Sequence, residues 1–330
     1  MKLAIVIAIY YRHIAVSIIN CTMSSATKHA SPLWVIIAFA IVYVVWGSTY
    51  FFIQMAINGF PPFLMGAVRF IIAGSIMLSI CALKGDKLWI QKDVGVAAYS
   101  GCLMLVVSMG IVIWAERTLP SAMVAIVIAI SPLWFVILDK PNWKTNFTTR
   151  STIWGLIIGF AGVLLLFGEA IAASLEGDFS NEQLISLVLL IFGPAAWAWG
   201  GLYAKRRPGT GPARVTTAWQ MMAAGIAYVP VSAIHNEFAG FNPATVPAHA
   251  WLAIAYLIVF GSIIAFTAYV WLLSVRPATQ VSTHAYVNPV IAVVLGVFIG
   301  NEVISWLKIL GLAVILLSVL LINYRQYAKK

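Results

Sequence analysis

Residues 111–138, IVIWAERTLPSAMVAIVIAISPLWFVIL, and residues 270–302, VWLLSVRPATQVSTHAYVNPVIAVVLGVFIGNE, decide how this chain is read. Each stretch holds two prolines at the same spacing, Pro120 and Pro132 in the first, Pro277 and Pro289 in the second. The register that lays one pair on the other also lays Tyr99 on Tyr256 and Trp114 on Trp271. Moving outward, Arg69 and Ala73-Gly74 match Gln220 and Ala224-Gly225. Trp46-Gly47 and Tyr50 match Trp199-Gly200 and Tyr203, and Gly155 matches Gly311. The matches keep their order along the chain, so its two halves are repeats of one unit.

Composition says where such a unit lives. Hydrophobic residues make up 62% of the chain and charged residues 9%, against about 45–50% and 25% in soluble domains. A globule in water needs polar groups to cover its surface; a bilayer removes that need. The 13 Trp, 12 Tyr and 17 Phe suit membrane–water boundaries, where amphipathic rings settle. A net charge of +10 would suggest nucleic acid in a soluble protein. Here the basic residues lie in short loops between apolar runs, so the expected partner is anionic lipid and no nucleic acid. Cys21, Cys81 and Cys102 have neither disulfide-framework nor metal-site spacing.

A helix crossing the hydrocarbon core needs about 20 apolar residues. Ten runs qualify, near 33–54, 62–83, 95–115, 119–139, 151–168, 184–204, 214–234, 250–272, 278–299 and 304–324. The expected fold class is all-α integral membrane, ten transmembrane helices in two five-helix repeats, 33–168 and 184–324. The expected remainder is an extension at 1–32, an outer loop at 169–183 and a tail at 325–330. Lys84, Lys87, Lys92, Lys140, Lys144, Arg150, Lys205, Arg206, Arg207, Arg214, Arg276, Arg325, Lys329 and Lys330 all fall on one side of that arrangement. Positive charge is retained in the cytoplasm, which places both termini there. Five spans per repeat then force the second repeat to enter from the opposite side, the architecture associated with alternating access.

The two opening stretches, with WGSTYFFIQMAINGFPPFLMGAVRFIIAG at 46–74, resemble the EamA-type repeats of the drug/metabolite transporter superfamily. The resemblance covers roughly residues 33–324. It implies a ten-helix exporter or permease for amino acids, related metabolites or drugs in a bacterial inner membrane, with a cavity between the halves. Asn301-Glu302 departs from the family's usual Gly-Glu while keeping the acid.

Candidate binding residues follow from the cost of polar groups in lipid. Arg69 lies about eight residues into its span, where a cation faces a cavity or braces neighbouring helices. His284 and Asn288 share a helix face, with Tyr286 nearby. Asn288 precedes Pro289, whose missing donor loosens the backbone. Trp46 and Tyr50, and their matches Trp199 and Tyr203, are candidate cavity walls for apolar or cationic groups, or else packing aromatics. Pro132 and Pro289 are the hinge candidates; Pro120 and Pro277 suit helix starts. Gly155, Gly159 and Gly162 fit close helix packing, within the chain or in a homodimer.

No acid falls in mid-span; Glu116 and Glu302 lie at outer ends. Proton coupling is therefore open to His284 or to these rim acids. No zinc-hydrolase, nucleophile-elbow or nucleotide-loop motif occurs, so neither enzyme chemistry nor a cofactor is expected. A small-molecule substrate and the bilayer are the expected partners. An anion exchanger for sugar phosphates or nucleotide sugars is the alternative transporter, and it would need more than one intramembrane cation. The symmetry is complete without residues 1–22, and Met23 opens a short polar lead, MSSATKHASPLW, into the first span. Protein purified from its native cells is expected to begin at Met23; an N-terminal peptide starting at Met1 would contradict this.

Overall fold

A computed structural model describes residues 30–119, 127–166 and 180–300, residues 305–327, and the single positions Val124, Gly168 and Ala172. Residues 1–29, Pro120, the outer loop at 173–179, Asn301-Glu302 and the last three residues lie outside this set. The described residues are mostly helical, with no strand among them. The principal helices are α1 (Pro32–Ile57), α2 (Pro62–Leu83), α3 (Gln91–Ala115), α4 (Ser131–Leu138), α5 (Trp143–Thr148) and α6 (Arg150–Leu166). The second half supplies α7 (Asn181–Arg206), α8 (Ala213–Ile234), α9 (Ala248–Val275), α10 (Ala278–Val281), α11 (His284–Gly300) and α12 (Trp306–Tyr327).

Local chemistry explains the helix ends. Pro32 and Pro62 open α1 and α2, where a missing N–H costs nothing. Ser180 and Gln183 form a reciprocal capping box at the start of α7. Gly85, at φ 73°, turns the chain out of α2 in a conformation that favours glycine.

Among the described residues, α1, α2, α3, α7 and α9 are each long and apolar enough to cross a membrane. The segment Lys140–Thr148 and α6 together form a sixth candidate bent by 87°. The other helices fall on the remaining expected runs. Two of those runs are not continuous helices. Residues 278–299 divide into α10 and α11 at a turn over Ser282 and Thr283. In the run 119–139, a turn at Ala129 and Ile130 precedes α4. Apolar character persists through the break at Ala129 and Ile130, so hydropathy does not register it; the other falls in a polar stretch, Thr279, Gln280, Ser282, Thr283 and His284, flanked by apolar residues.

Packing between the halves is carried by glycines. Lipid offers no hydrophobic drive for helix association, so close backbone contact has to supply it. Gly74 of α2 faces Met222 of α8, where an added Cβ would stand 2.7 Å from the Met222 nitrogen. Gly225 of α8 faces Ile71 of α2, with the corresponding distance 2.5 Å. The residue numbers run in opposite senses, so the pair is antiparallel. In α6 and α12, Gly155 meets Ile322, Gly162 meets Ile315 and Gly311 meets Leu166, again antiparallel. Gly74 matches Gly225 and Gly155 matches Gly311, so each pair consists of repeat-equivalent helices. A two-fold operation that exchanges antiparallel helices has its axis perpendicular to them. The two halves are therefore inverted.

The repeat extends to an irregularity. A π-helical segment interrupts α3 at Cys102–Ser108 and another interrupts α9 at Leu257–Ala265. In the register of Tyr99 and Tyr256, the first falls on 259–265, inside the second. A π segment loosens the ladder and commonly marks a functional site. Here each one offers a carbonyl to the opposite half. Tyr228 Oη of α8 donates to Leu105 O at 2.6 Å, and Trp46 Nε1 of α1 donates to Gly261 O at 3.2 Å.

Gly225→Ala is expected to lower unfolding free energy by about 1–3 kcal/mol, as overpacking does. Gly95→Ala, which meets nothing within 4 Å, is expected to leave it unchanged or raise it by up to about 1 kcal/mol. SDS-induced unfolding in mixed micelles measures both.

Candidate functional site

A cavity of about 90 Å³ lies between the halves. By volume it has room for several waters. Its walls come from α1, α2, α3, α7, α9 and α11, with Ile128 and Ser131 bordering the break before α4.

Arg69 is its one lining cation among the described residues. The side chain is 4% exposed. Its Nε donates to Ser262 Oγ at 2.7 Å, and the guanidinium lies 4.9 Å from the Phe70 ring centroid. No carboxylate among the described residues pairs with it. Gly261 makes room: a Cβ there would stand 3.0 Å from Nη2. Arg69 is thus both a tie between α2 and α9 and an uncompensated charge at the cavity. Its repeat match, Gln220, makes the corresponding tie from α8 to α3, donating from Nε2 to Ser100 Oγ at 2.9 Å.

Part of the wall is aromatic. Trp46 lies 5.5 Å from Trp197, 4.9 Å from Tyr269 and 5.0 Å from His284 between ring centroids. Trp197 Nε1 donates to Tyr269 Oη at 2.8 Å and fixes the box. His284 Nδ1 is 2.9 Å from Val281 O. A carbonyl only accepts, so Nδ1 carries the proton and Nε2 is left as an acceptor. One turn on, Asn288 Oδ1 is buried with no hydrogen-bond partner among the described residues. An unmet acceptor in an apolar cavity costs about 1–3 kcal/mol, and a donor on a bound solute would recover it.

Of the residues singled out from sequence, Trp46, Tyr50, Arg69, His284 and Asn288 all line the cavity. Trp199, Tyr203 and Tyr286 do not. Trp199 is 38% exposed and donates from Nε1 to Tyr99 Oη at 3.2 Å. Tyr203 packs on Tyr99 and under Arg207. Tyr286 is fully buried, donating to Leu156 O at 3.0 Å beside Gly159. The prolines also differ: Pro132 opens α4, whereas Pro289 sits inside α11. Sequence reading missed Trp197, Ser262 and Tyr269. Trp197 is two residues from Trp199 and therefore on another helix face, which the repeat match could not distinguish.

The basic loops meet on one face. Arg214 pairs with Asp86, and Asp93 Oδ2 accepts from Thr210 N at 2.8 Å. Directly beyond the aromatic box, Tyr43 Oη and Thr283 Oγ1 bond at 2.6 Å, and Lys205 Nζ donates to Arg276 O at 2.5 Å. Arg206 Nη2 reaches Leu138 O at 2.8 Å and Asp139 Oδ1 at 3.2 Å. These ties join α1 to α10–α11, α7 to α9 and α7 to α4 on the basic face.

The EamA-like transporter family model matches residues 4–168 and again 184–324. The chain belongs to this family. Its two matches correspond to the two halves seen in the packing. An "Uncharacterized inner membrane transporter YedA" of Escherichia coli (strain K12) is 36% identical over 290 residues, spanning 87% of this chain and 89% of the relative. An "Uncharacterized transporter YvbV" of Bacillus subtilis (strain 168) is 23% identical over 300 residues, 88% of this chain and 92% of the relative. A solved crystal structure aligns with TM-score 0.72 at 19% identity, covering 91% of this chain and all of the other; that likeness concerns the fold. As an EamA-like protein the chain is a membrane transporter and not an enzyme.

The Arg206–Asp139 pair is a third exposed on the arginine side, and such pairs are worth up to about 1 kcal/mol. Arg206→Ala should therefore raise access from the basic face by up to about fivefold. The measure is the maleimide labelling rate of Ser131→Cys in a background lacking Cys21, Cys81 and Cys102. An unchanged rate would show that the pair does not hold this face closed.

Proposed function

We propose that the chain exports small zwitterionic or amphiphilic metabolites, with apolar amino acids as reference substrates, by alternating access across a bacterial inner membrane. On this reading it has ten spans, repeats at 33–168 and 184–324, and both termini in the cytoplasm. The observation that carries the substrate class is Arg69, a cation with no carboxylate partner among the described residues, at a cavity walled by aromatic and aliphatic side chains. A carboxylate would meet the guanidinium, an ammonium would meet Asn288 Oδ1, and an apolar side chain would lie against Trp46 and Trp197. Cation–π attraction from the tryptophan faces supports the ammonium end as well.

The alternative, exchange of sugar phosphates or nucleotide sugars, is less well supported. A phosphate dianion calls for several clustered cations, and Arg69 alone lines the cavity among the described residues. The contacts across the basic face support a state in which the site is shut off from the cytoplasm, one of the two states alternating access requires.

Counterflow of a radiolabelled apolar amino acid into preloaded proteoliposomes tests the reading. A hydrogen bond to a charged group contributes about 1.5–3 kcal/mol. Arg69→Ala should therefore weaken transport at sub-saturating substrate by about tenfold or more. Arg69→Lys should recover part of it, since lysine keeps the charge and loses the fork. Counterflow of a sugar phosphate but not of any amino acid would favour the alternative.

A further inference from the structure

One turn beyond the cavity lining at Val112 lies a carboxyl group that the substrate contacts leave unused. Ser108, Val112 and Glu116 follow at four-residue spacing along α3 and so share a face. The first two line the cavity; Glu116 is the residue on which α3 ends. Val112, Ala115, Leu119, Val124 and Leu190 form an apolar cluster at this end of the helix. Both carboxyl oxygens of Glu116 are buried, and neither has a hydrogen-bond partner among the described residues. Tyr50, on the cavity wall of α1, is close enough to feel its charge.

No described charge compensates it. Arg117, the next residue, is exposed, as is Glu182 on the first turn of α7. Glu237, beyond α8, is occupied by Leu64 N and Ser232 Oγ. Arg69, on α2, lies at the cavity and is tied to Ser262. An ionised carboxylate without a partner is costly to bury, whereas the protonated acid is not. Burial raises the Glu116 carboxyl from the ordinary carboxylate range to about 7.

We propose that Glu116 is a proton-binding site of the transport cycle. With the outer end of the cavity packed as it is here, Glu116 holds a proton. When that end hydrates, the O–H bond breaks, the proton passes to water and the carboxylate remains. This rests on the transporter reading and adds a second ligand, the proton, to it. The sign follows from the raised value. The proton's contribution to the packed arrangement is full below the ordinary value of 4.5 and is progressively lost as pH rises from there through about 7, because an ionised Glu116 must leave the apolar cluster.

Two measurements on the full-length protein test the proposal. The first needs no substrate. The infrared stretch of the protonated carboxyl, taken as wild type minus E116Q across a pH series, should titrate near pH 7. A band already lost near the ordinary value of 4.5 would overturn the proposal. The second is counterflow at pH 6 and pH 8, between which the protonated fraction of such a group changes about tenfold. The wild-type rate should follow that change and E116Q, a mimic of the protonated acid, should flatten it. Equal pH profiles in the two proteins would also overturn it. Absence of wild-type counterflow at both pH values would sink the amino-acid reading, and the infrared titration would still decide the proton site.

Discussion

The contact on which the rest depends is the reciprocal one between α2 and α8. Gly74 lies against the backbone of Met222 and Gly225 against that of Ile71. Neither position tolerates a side chain without moving a backbone, and both occur on one interface because the two helices are copies of each other. That fixes the register between the halves. The second such interface, between α6 and α12, holds the same relation. Between them they set where α3 and α9 pass, and so where the π segments present Leu105 O and Gly261 O to the opposite half. The cavity is the space these constraints leave unfilled.

What occupies that space follows from the economy of charge in lipid. Arg69 is tolerated because Ser262 and the Phe70 face satisfy part of it and because the rest borders a cavity. Asn288 Oδ1 is tolerated less well, having no partner among the described residues. On the proposed reading, this cation and this acceptor would complement a solute with an anionic end, a donor end and an apolar body. The repeat supplies only one of each. Arg69 is matched by Gln220, which is neutral and committed to Ser100. The inverted halves are thus alike in backbone and unlike in chemistry, and the charge lies to one side of the pseudo-symmetry axis.

Much of this was legible in the residues. Long apolar runs announce helices wherever the backbone has no choice but to pair with itself, and matched glycines survive as packing points whatever side chains surround them. Arg69 and Trp46 could be found because a charge or a large amphipathic ring inside lipid must go somewhere. Other features left no such mark. The turn before α4, at Ala129 and Ile130, is as apolar as the helix it precedes, and the turn before α11, at Ser282 and Thr283, is too short to divide an otherwise apolar run. A π segment shifts every later residue round the helix, so spacing read from Tyr256 does not forecast which face Tyr269 occupies. Trp46-Gly47 packs on α9 and α11 and Trp199-Gly200 on α3, the counterpart of α9, yet Trp46 lines the cavity and Trp199 does not. Sequence matching identifies equivalent positions; it does not say that they are doing the same thing at the same moment. Glu116 looked like a rim acid because burial depends on neighbours from α1 and α7 that no local window contains.

Arg69 has one more consequence, and it concerns voltage. A fixed charge inside a bilayer lies within the transmembrane electric field, and carrying an elementary charge fully across that field is worth about 2.3 kcal/mol per 100 mV. The arginine need not travel for this to matter. If the aqueous cavity reaches it from one face and then from the other, the potential drop shifts from one side of the charge to the other. Most of a full crossing is then accomplished by water alone. A zwitterion bound at the site leaves the net charge as it was, whereas an anion cancels it. For a carrier built this way, the membrane potential would act on the empty protein and on the zwitterion-loaded protein alike, and would release its hold only when the cargo is an anion.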